Sequence, residues 1–269
     1  MEKLEKAKKI VVKVGSSTLT HESGRFHLQH LERLACVLSD LKNEGRDIVL
    51  VSSGAISAGR AKLGLDHRPS EIAEKQAMAA VGQSELMRMY EHFFSMFSHP
   101  VAQILLTRST IDNPTARRNT ENTLRTLLAM NCIPIVNEND TVSFEEIEFG
   151  DNDTLSAHVA LLCNADVLIN MSDIDGFYDG DPHIDPTAKL IRDVYRIDSA
   201  TYACAGGAGS NRGTGGVITK LHAAEICCRA GIPMILLNGA DPSILYDLFA
   251  DKEVGTCFHA FKDSPVSKS

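Results

Sequence analysis

The sequence is short of positive charge. Lys and Arg number 27 against 35 Asp and Glu, a formal net charge of −8. Nucleic acid and anionic membranes both demand a positive face, so neither is expected as the main partner. Long hydrophobic runs are missing too: nothing approaches the roughly 20 apolar residues that span a bilayer. The opening MEKLEKAKKIVVKVG is charged and passes straight into a strand-like stretch, without a secretory core or cleavage signal. A soluble, cytoplasmic protein is expected. The seven cysteines (36, 132, 163, 204, 227, 228 and 257) contain no CxxC pair and sit mostly in apolar stretches such as LACVL and ALLCNA. That spacing suits neither a disulfide framework nor a zinc site, and they are read as small buried hydrophobes. There is no HExxH. Only His27 and His30 approach ligand spacing, and they flank a helix start, which predicts solvated or capping roles. The P-loop signature GxxxxGKS or GxxxxGKT is absent, no complete GxGxxG follows a strand, and no HRD loop accompanies DIDGFYD. Those absences weigh against P-loop, nicotinamide and protein-kinase chemistry.

What is present is alternation. IVVKV (10–14), DIVLV (47–51), VAQILL (101–106), IPIVN (133–137), DVLIN (166–170) and IPMILL (232–237) each read as a strand buried on both faces. Helical spacing marks 28–45, ending at Gly45 as a C-cap, and roughly 70–97, 116–130, 153–164 and 217–230. Strands alternating with helices predict right-handed βαβ units and a mainly parallel sheet between two helical layers. Neither an internal repeat nor a low-complexity linker interrupts the pattern, so one continuous domain over 1–262 is expected. The polar tail 263–269 is expected to fray. VSFEEIEFGDN (142–152) reads as a hairpin or excursion, and GGAGSNRGTGG (206–216) as a flexible loop.

In open α/β sheets ligands bind beyond the carboxyl ends of the strands. Four such loops carry polar chemistry. KVGSSTL breaks its strand at Gly15 after Lys13, offering amides and a point charge to an anion. VSSGAISAGR places Ser52, Ser53 and Gly54 before a helix, and NENDTV packs Asn137, Glu138, Asn139 and Asp140 behind a strand. TGGVITK sets Gly215 and Gly216 ahead of a helix carrying Lys220. Singly these are weak signals; together they indicate a phosphate site inside an acidic protein.

Taken in order, KVGSS, VSSGAISAGR, NENDTV, FGDNDTLSA, NMSDIDGFYDGDP and GTGGVITKL resemble the amino-acid kinase family, in its branch acting on the γ-carboxylate of glutamate. The resemblance runs from about Lys9 to Phe258. It implies a three-layer αβα sandwich with a mainly parallel central sheet, nucleotide over one half and amino acid over the other. It implies ATP and L-glutamate as substrates, Mg²⁺ carried by ATP, and L-glutamate 5-phosphate as product, at the first step of proline biosynthesis. Lys13, Lys220 and Asp153 would be the catalytic residues, the two lysines on the phosphoryl group in transit and Asp153 holding them. Ser53, Gly54, Asp140 and Asn152 would bind glutamate. Lys13, Gly15, Ser172, Asp173, Thr214, Gly215, Gly216, Val217, Ile218, Thr219 and Lys220 would bind nucleotide. The resemblance also implies L-proline as feedback inhibitor through 140–152, a homo-oligomer (dimer or tetramer), and coupling to glutamate-5-phosphate reductase. Many members continue into a C-terminal RNA-binding-like PUA domain, and the short form without it is expected.

These roles make physical sense. A γ-carboxylate with a pKa of about 4.3 is already ionised at neutral pH and needs no general base. The obstacle is repulsion: two like unit charges 4 Å apart repel by roughly 4 kcal/mol at an effective dielectric near 20. Two lysines and Mg²⁺ offset that repulsion and stabilise charge on the phosphoryl oxygens in flight. Asp140 would accept a free α-ammonium, which favours glutamate over acetylglutamate, since the latter would strand a buried carboxylate. The plainer alternative for Asp140 is an N-cap or turn acid, and for Asn152 and Asp153 an N-cap of helix 153–164, a role that can coexist with the functional one. Met87, Met89, Phe93, Phe94, Met96 and Phe97 read as core or subunit interface, and Arg117, Arg118 and Arg125 as a solvated or interface face. The alternatives are a relative acting on acetylglutamate, aspartate, carbamate or a nucleoside monophosphate, or a non-catalytic amino-acid sensor on the same fold.

Overall fold

The short β-branched runs form strands and the amphipathic runs form the helices that cover them. A computed structural model describes residues 4–67, 69–142, 152–182, 184–205 and 214–261. The strands are β1 Lys9–Val14, β2 Asp47–Val51, β3 Val101–Leu106, β4 Ile133–Glu138, β5 Val167–Ser172, β6 Phe177–Tyr178, β7 Leu190–Ile191, β8 Asp193–Val194, β9 Met234–Asn238 and β10 Thr256–Phe258. The helices are α1 Ser16–Leu19, α2 Leu28–Asn43, α3 Ala55–Lys62, α4 Ile72–Ser95, α5 Arg108–Asp112, α6 Pro114–Ala129, α7 Asn152–Cys163, α8 Ser199–Ala205, α9 Thr214–Arg229 and α10 Ile244–Phe249.

Among the described residues an eight-stranded sheet runs β3-β4-β2-β1-β5-β9-β10-β8. Its pairs are parallel except β9–β10. Alternate side chains of each strand feed opposite faces. Ile10, Val12 and Val14 of β1 join a core with α2, α4 and α10, whereas Val11 joins a second core with α6, α7 and α9. This is the expected αβα sandwich. No described helix is long and apolar enough to cross a membrane.

Several expectations need correction. β3 is not buried on both faces: most of it is only half-buried, because it closes one edge of the sheet with β4 as its sole neighbour. His30 is not solvated. It is buried on the first turn of α2, and desolvation lowers its pKa. His27 takes the N-cap position without a capping side-chain bond. The short pieces α1, α5, α8, α10, β6, β7, β8 and β10 escaped the periodicity, which needs more residues than they contain. The core reading of the Met/Phe stripe holds for Met89, Phe93 and Phe94, with Met87 and Phe97 packed against them, but Met96 is exposed. Arg117, Arg118 and Arg125 are exposed on α6. The cysteines are buried, as expected, except for the half-buried Cys36 and Cys204. Gly45, at φ +89°, ends α2 as expected, its N–H donating to the Lys42 carbonyl. Segment 143–151, the loop residues 206–213 and the tail 262–269 lie outside the described residues, so the readings of 142–152, 206–216 and the fraying tail fall there.

Candidate active site

The site forms where strand order reverses. β1 lies between β2 on one side and β5 on the other, a topology that opens a crevice beyond the carboxyl ends. Lys13 is one residue from the end of β1 and pairs in register with Val51 and Asn170. Pleating sends Lys13 and Asn170 to the face covered by α7 and α9, one residue out of phase with Val12 and Ile169 on the opposite face.

Helix α7 brings Asp153, which is fully buried, and α9 brings Lys220. Lys13 Nζ lies 2.5 Å from Asp153 Oδ1, and Lys220 Nζ 3.1 Å from Oδ2. Asn170 Nδ2 donates to Oδ1 at 2.8 Å, and the Thr219 hydroxyl donates to Oδ2 at 3.0 Å. Lys220 also donates to the Gly216 carbonyl at 3.1 Å, closing the first turn of α9. Charges this far from water persist only when paired and hydrogen-bonded. Two ammonium groups against one carboxylate leave a net positive charge at the sheet end, a setting suited to a phosphoryl group. A Cβ added to Gly15 or to Gly216 would sit 4.0 Å from Lys13 Nζ or from Lys220 Nζ respectively, so both glycines border the lysine heads.

A second polar cluster adjoins the first through the neighbouring residue of α7. Asn152 Nδ2 donates to the Ser52 carbonyl (2.6 Å), Ser53 Oγ (2.8 Å) and Asn137 Oδ1 (3.0 Å). Asn137 donates to Gln83 Oε1 at 2.9 Å, and Ser52 Oγ is 2.8 Å from the buried Tyr90 hydroxyl. Gln83 and Tyr90 come from α4, which crosses α3 at a pair of glycines. A Cβ on Gly59 would fall 1.8 Å from the Met78 carbonyl oxygen, and one on Gly82 1.7 Å from that of Ala55. The absence of side chains there lets the two helices touch, and the loop before α3 is tied to α4 through Ser52 and Tyr90. Gly54 itself holds φ +97°, a conformation that strains other residues.

Asp140 follows the end of β4, half-buried. Burial, then the nearby Glu138 carboxylate, raise its pKa to about 6. A carboxylate so placed gains from a cation that brings its own charge. Ser172 is buried at the end of β5 and donates to the exposed Asp173 at 2.9 Å. Thr214, Gly215, Gly216, Val217, Ile218, Thr219 and Lys220 form the first two turns of α9. Val217 and Ile218 pack against the core, and the Thr219 hydroxyl serves Asp153 and the Gly216 carbonyl.

Thus Lys13, Asp153, Lys220 and Thr219 are joined directly, as are Ser53 and Asn152, while Asp140 and Ser172–Asp173 stand at neighbouring strand ends. Sequence reasoning missed Asn170, Gln83 and Tyr90, and named Ser52 and Asn137 only as members of polar loops, without individual roles. A lone Asn inside the wholly buried VLINMS strand was a readable signal for Asn170. No comparable signal exists for Gln83 or Tyr90, which meet the site only through helix packing. Among the described residues, the one group of His, Cys, Asp and Glu close enough to share a metal lies elsewhere, at Asp193, Cys257 and His259.

A family model, the Amino acid kinase family, matches residues 8–238. A glutamate 5-kinase of Clostridium perfringens is 53% identical over 263 residues, covering 96% of this chain and 98% of that relative. One of Listeria innocua is 51% identical over 266 residues, covering 97% and 96%. Among solved structures, an isopentenyl phosphate kinase of T. acidophilum matches with TM-score 0.62 at 18% identity, covering 93% of this chain and 99% of that one. UMP kinase of Bacillus anthracis matches with TM-score 0.58 at 15% identity, covering 93% and 95%. At such identities the structural likeness establishes the fold alone.

Proposed function

The chain belongs to the amino acid kinase family, and on that premise we propose that it transfers the γ-phosphoryl group of ATP to the γ-carboxylate of L-glutamate. A carboxylate oxygen attacks the γ-phosphorus, the bond from that phosphorus to the β,γ-bridging oxygen breaks, and ADP leaves with the electron pair. No proton moves in that step. The observation that carries the reading is the buried Lys13–Asp153–Lys220 triad, in a chain half identical to glutamate 5-kinases.

Lys13 and Lys220 neutralise the transferring group, and Asp153 keeps both ammonium groups aligned toward it. Ser53, Gly54 and Asn152 hold the amino acid, and Asp140 accepts its α-ammonium. Gly15, Ser172, Asp173 and the first turns of α9 face the nucleotide. The donor set fits a Mg²⁺ carried on ATP rather than caged by the protein, because both Asp153 oxygens are engaged by Lys13, Asn170, Lys220 and Thr219. Bound through the phosphates, Mg²⁺ supplies charge neutralisation there. The same reading includes cytoplasmic residence, L-proline inhibition at the glutamate site, a homo-oligomer, and delivery of a labile acyl phosphate to glutamate-5-phosphate reductase.

Hydroxylamine traps acyl phosphates as hydroxamates. With ATP and Mg²⁺, product is expected with L-glutamate and not with acetylglutamate or aspartate. Product from either of those acceptors but none from glutamate would reject the assignment.

A further inference from the structure

We propose that Asp193, Cys257 and His259 form a site for one divalent transition-metal ion of the zinc class, at the β8–β10 edge of the sheet, away from the kinase site. Cys257 pairs in register with Asp193 across the two parallel strands. His259 follows Cys257 by two residues, so pleating returns its side chain to the same face. One ligand atom from each residue lies within 4.8 Å of the others, with His259 Nε2 2.7 Å from Asp193 Oδ1.

The donor chemistry is selective. Thiolate, imidazole and carboxylate together suit zinc or cobalt, not magnesium or calcium, which prefer oxygen alone. A tetrahedral ion, with sulfur at about 2.3 Å and nitrogen or oxygen at about 2.0–2.2 Å, holds its donors roughly 3.3–3.7 Å apart. The present arrangement needs only ångström-scale side-chain adjustment to reach that. The backbone is already held, since Cys257 N–H donates to the Arg192 carbonyl and His259 N–H to that of Val194. Tyr195 stacks on the His259 ring at 4.2 Å and 8°, fixing its plane. Three protein donors leave a fourth position for water. Binding replaces the Cys257 thiol proton by the metal and releases that proton to solvent.

The neighbouring residue ties this edge to the rest of the molecule. Thr256 Oγ1 accepts from the Phe177 N–H and donates to the Ile191 carbonyl. Occupancy therefore stiffens the strand that anchors the segment following Ser172 and Asp173, and raises the Tm. Sequence spacing alone hides the site, because Asp193 is far from the Cys–x–His pair along the chain.

The test uses untagged, chelator-treated full-length protein without nucleotide. Calorimetric titration with Zn²⁺ should show one equivalent bound. Co²⁺ should give thiolate-to-metal charge transfer and intense tetrahedral d–d bands. Cys257→Ser should abolish the charge transfer, and His259→Gln should weaken Zn²⁺ binding at least tenfold. Both variants should keep kinase activity within twofold. Absence of binding, Co²⁺ spectra without a thiolate band, or equal Zn²⁺ affinity in His259→Gln would each overturn the proposal.

Discussion

Asp153 and Asp140 are both carboxylates at the carboxyl end of one sheet, yet their electrostatic settings are opposite. Asp153 is completely buried between two lysines, and Asn170 and Thr219 also donate to its carboxylate. Asp140 is half-buried beside another acid, and its pKa rises to about 6. The first arrangement is complete within the fold, and in the proposed reaction its net positive charge would be aimed at the group in transit. The second carries the cost of partial burial and a neighbouring acid, which a ligand cation would relieve. On the proposed roles, catalysis and recognition would place their electrostatic costs differently, one met in folding and the other at binding.

The comparison breaks most visibly at Asp153. Asp153→Asn leaves two buried ammonium groups without a counter-charge. Loss of a buried partner costs about 3–5 kcal/mol of stability, measurable by denaturant unfolding. We expect kcat to fall on the order of 100-fold or more while the KM for glutamate stays within a few-fold. A variant retaining full kcat would remove the triad from the mechanism.

Asp140→Asn should do the reverse. A charge-assisted hydrogen bond is worth about 1.5–3 kcal/mol, so KM for glutamate should rise roughly 10- to 100-fold with little loss of kcat or stability. The pH dependence follows from the same group. Its folded pKa lies above the ordinary 3.8, so the folded protein holds this proton more tightly than the unfolded chain. Its contribution to stability therefore declines as pH rises from about 4 through about 6. An α-ammonium favours the ionised form, so glutamate binding near pH 6 should release protons, and KM should climb as pH falls through 6. Calorimetry in buffers of different ionisation enthalpy measures the released protons. Buffer-independent heats at pH 6, or an unchanged acid limb in Asp140→Asn, would equate the two carboxylates.

The smallest effect sharpens the comparison from inside the triad. Lys13 and Asn170 share Asp153 Oδ1. Were Lys13 to turn toward the phosphoryl group in the proposed reaction, Asn170 would keep that oxygen satisfied. Asn170→Leu should lower kcat roughly tenfold, the lower end of what a hydrogen bond to a charged group is worth, with ATP and glutamate affinities unchanged. In a Lys13→Met background the same change should have no further effect. Additive losses would assign Asn170 to packing instead.

Much of the fold was legible because its strands and helices repeat their patterns over enough residues to be recognised. The six expected strands all exist, and DIVLV and VAQILL match β2 and β3 end to end. The antiparallel β10 and the two-residue β8 were not legible, since neither carries a periodic pattern of its own. The site was legible as separate loops. Lys13 stood before a glycine turn and Lys220 after one, but nothing local tied either to Asp153.

The order of apolar and polar residues, by itself, determined the alternating βαβ chain, the face each strand residue occupies and the loops that carry polar groups. These depend on periods of two and 3.6 residues, which are written locally. Tertiary structure alone decided that β1, α7 and α9 deliver three charges to one buried point, and that Asp140 loses part of its hydration. It also made β3 an edge. Each of these depends on which distant segment packs alongside, and so on burial and Coulomb interactions that act across the fold rather than along the chain.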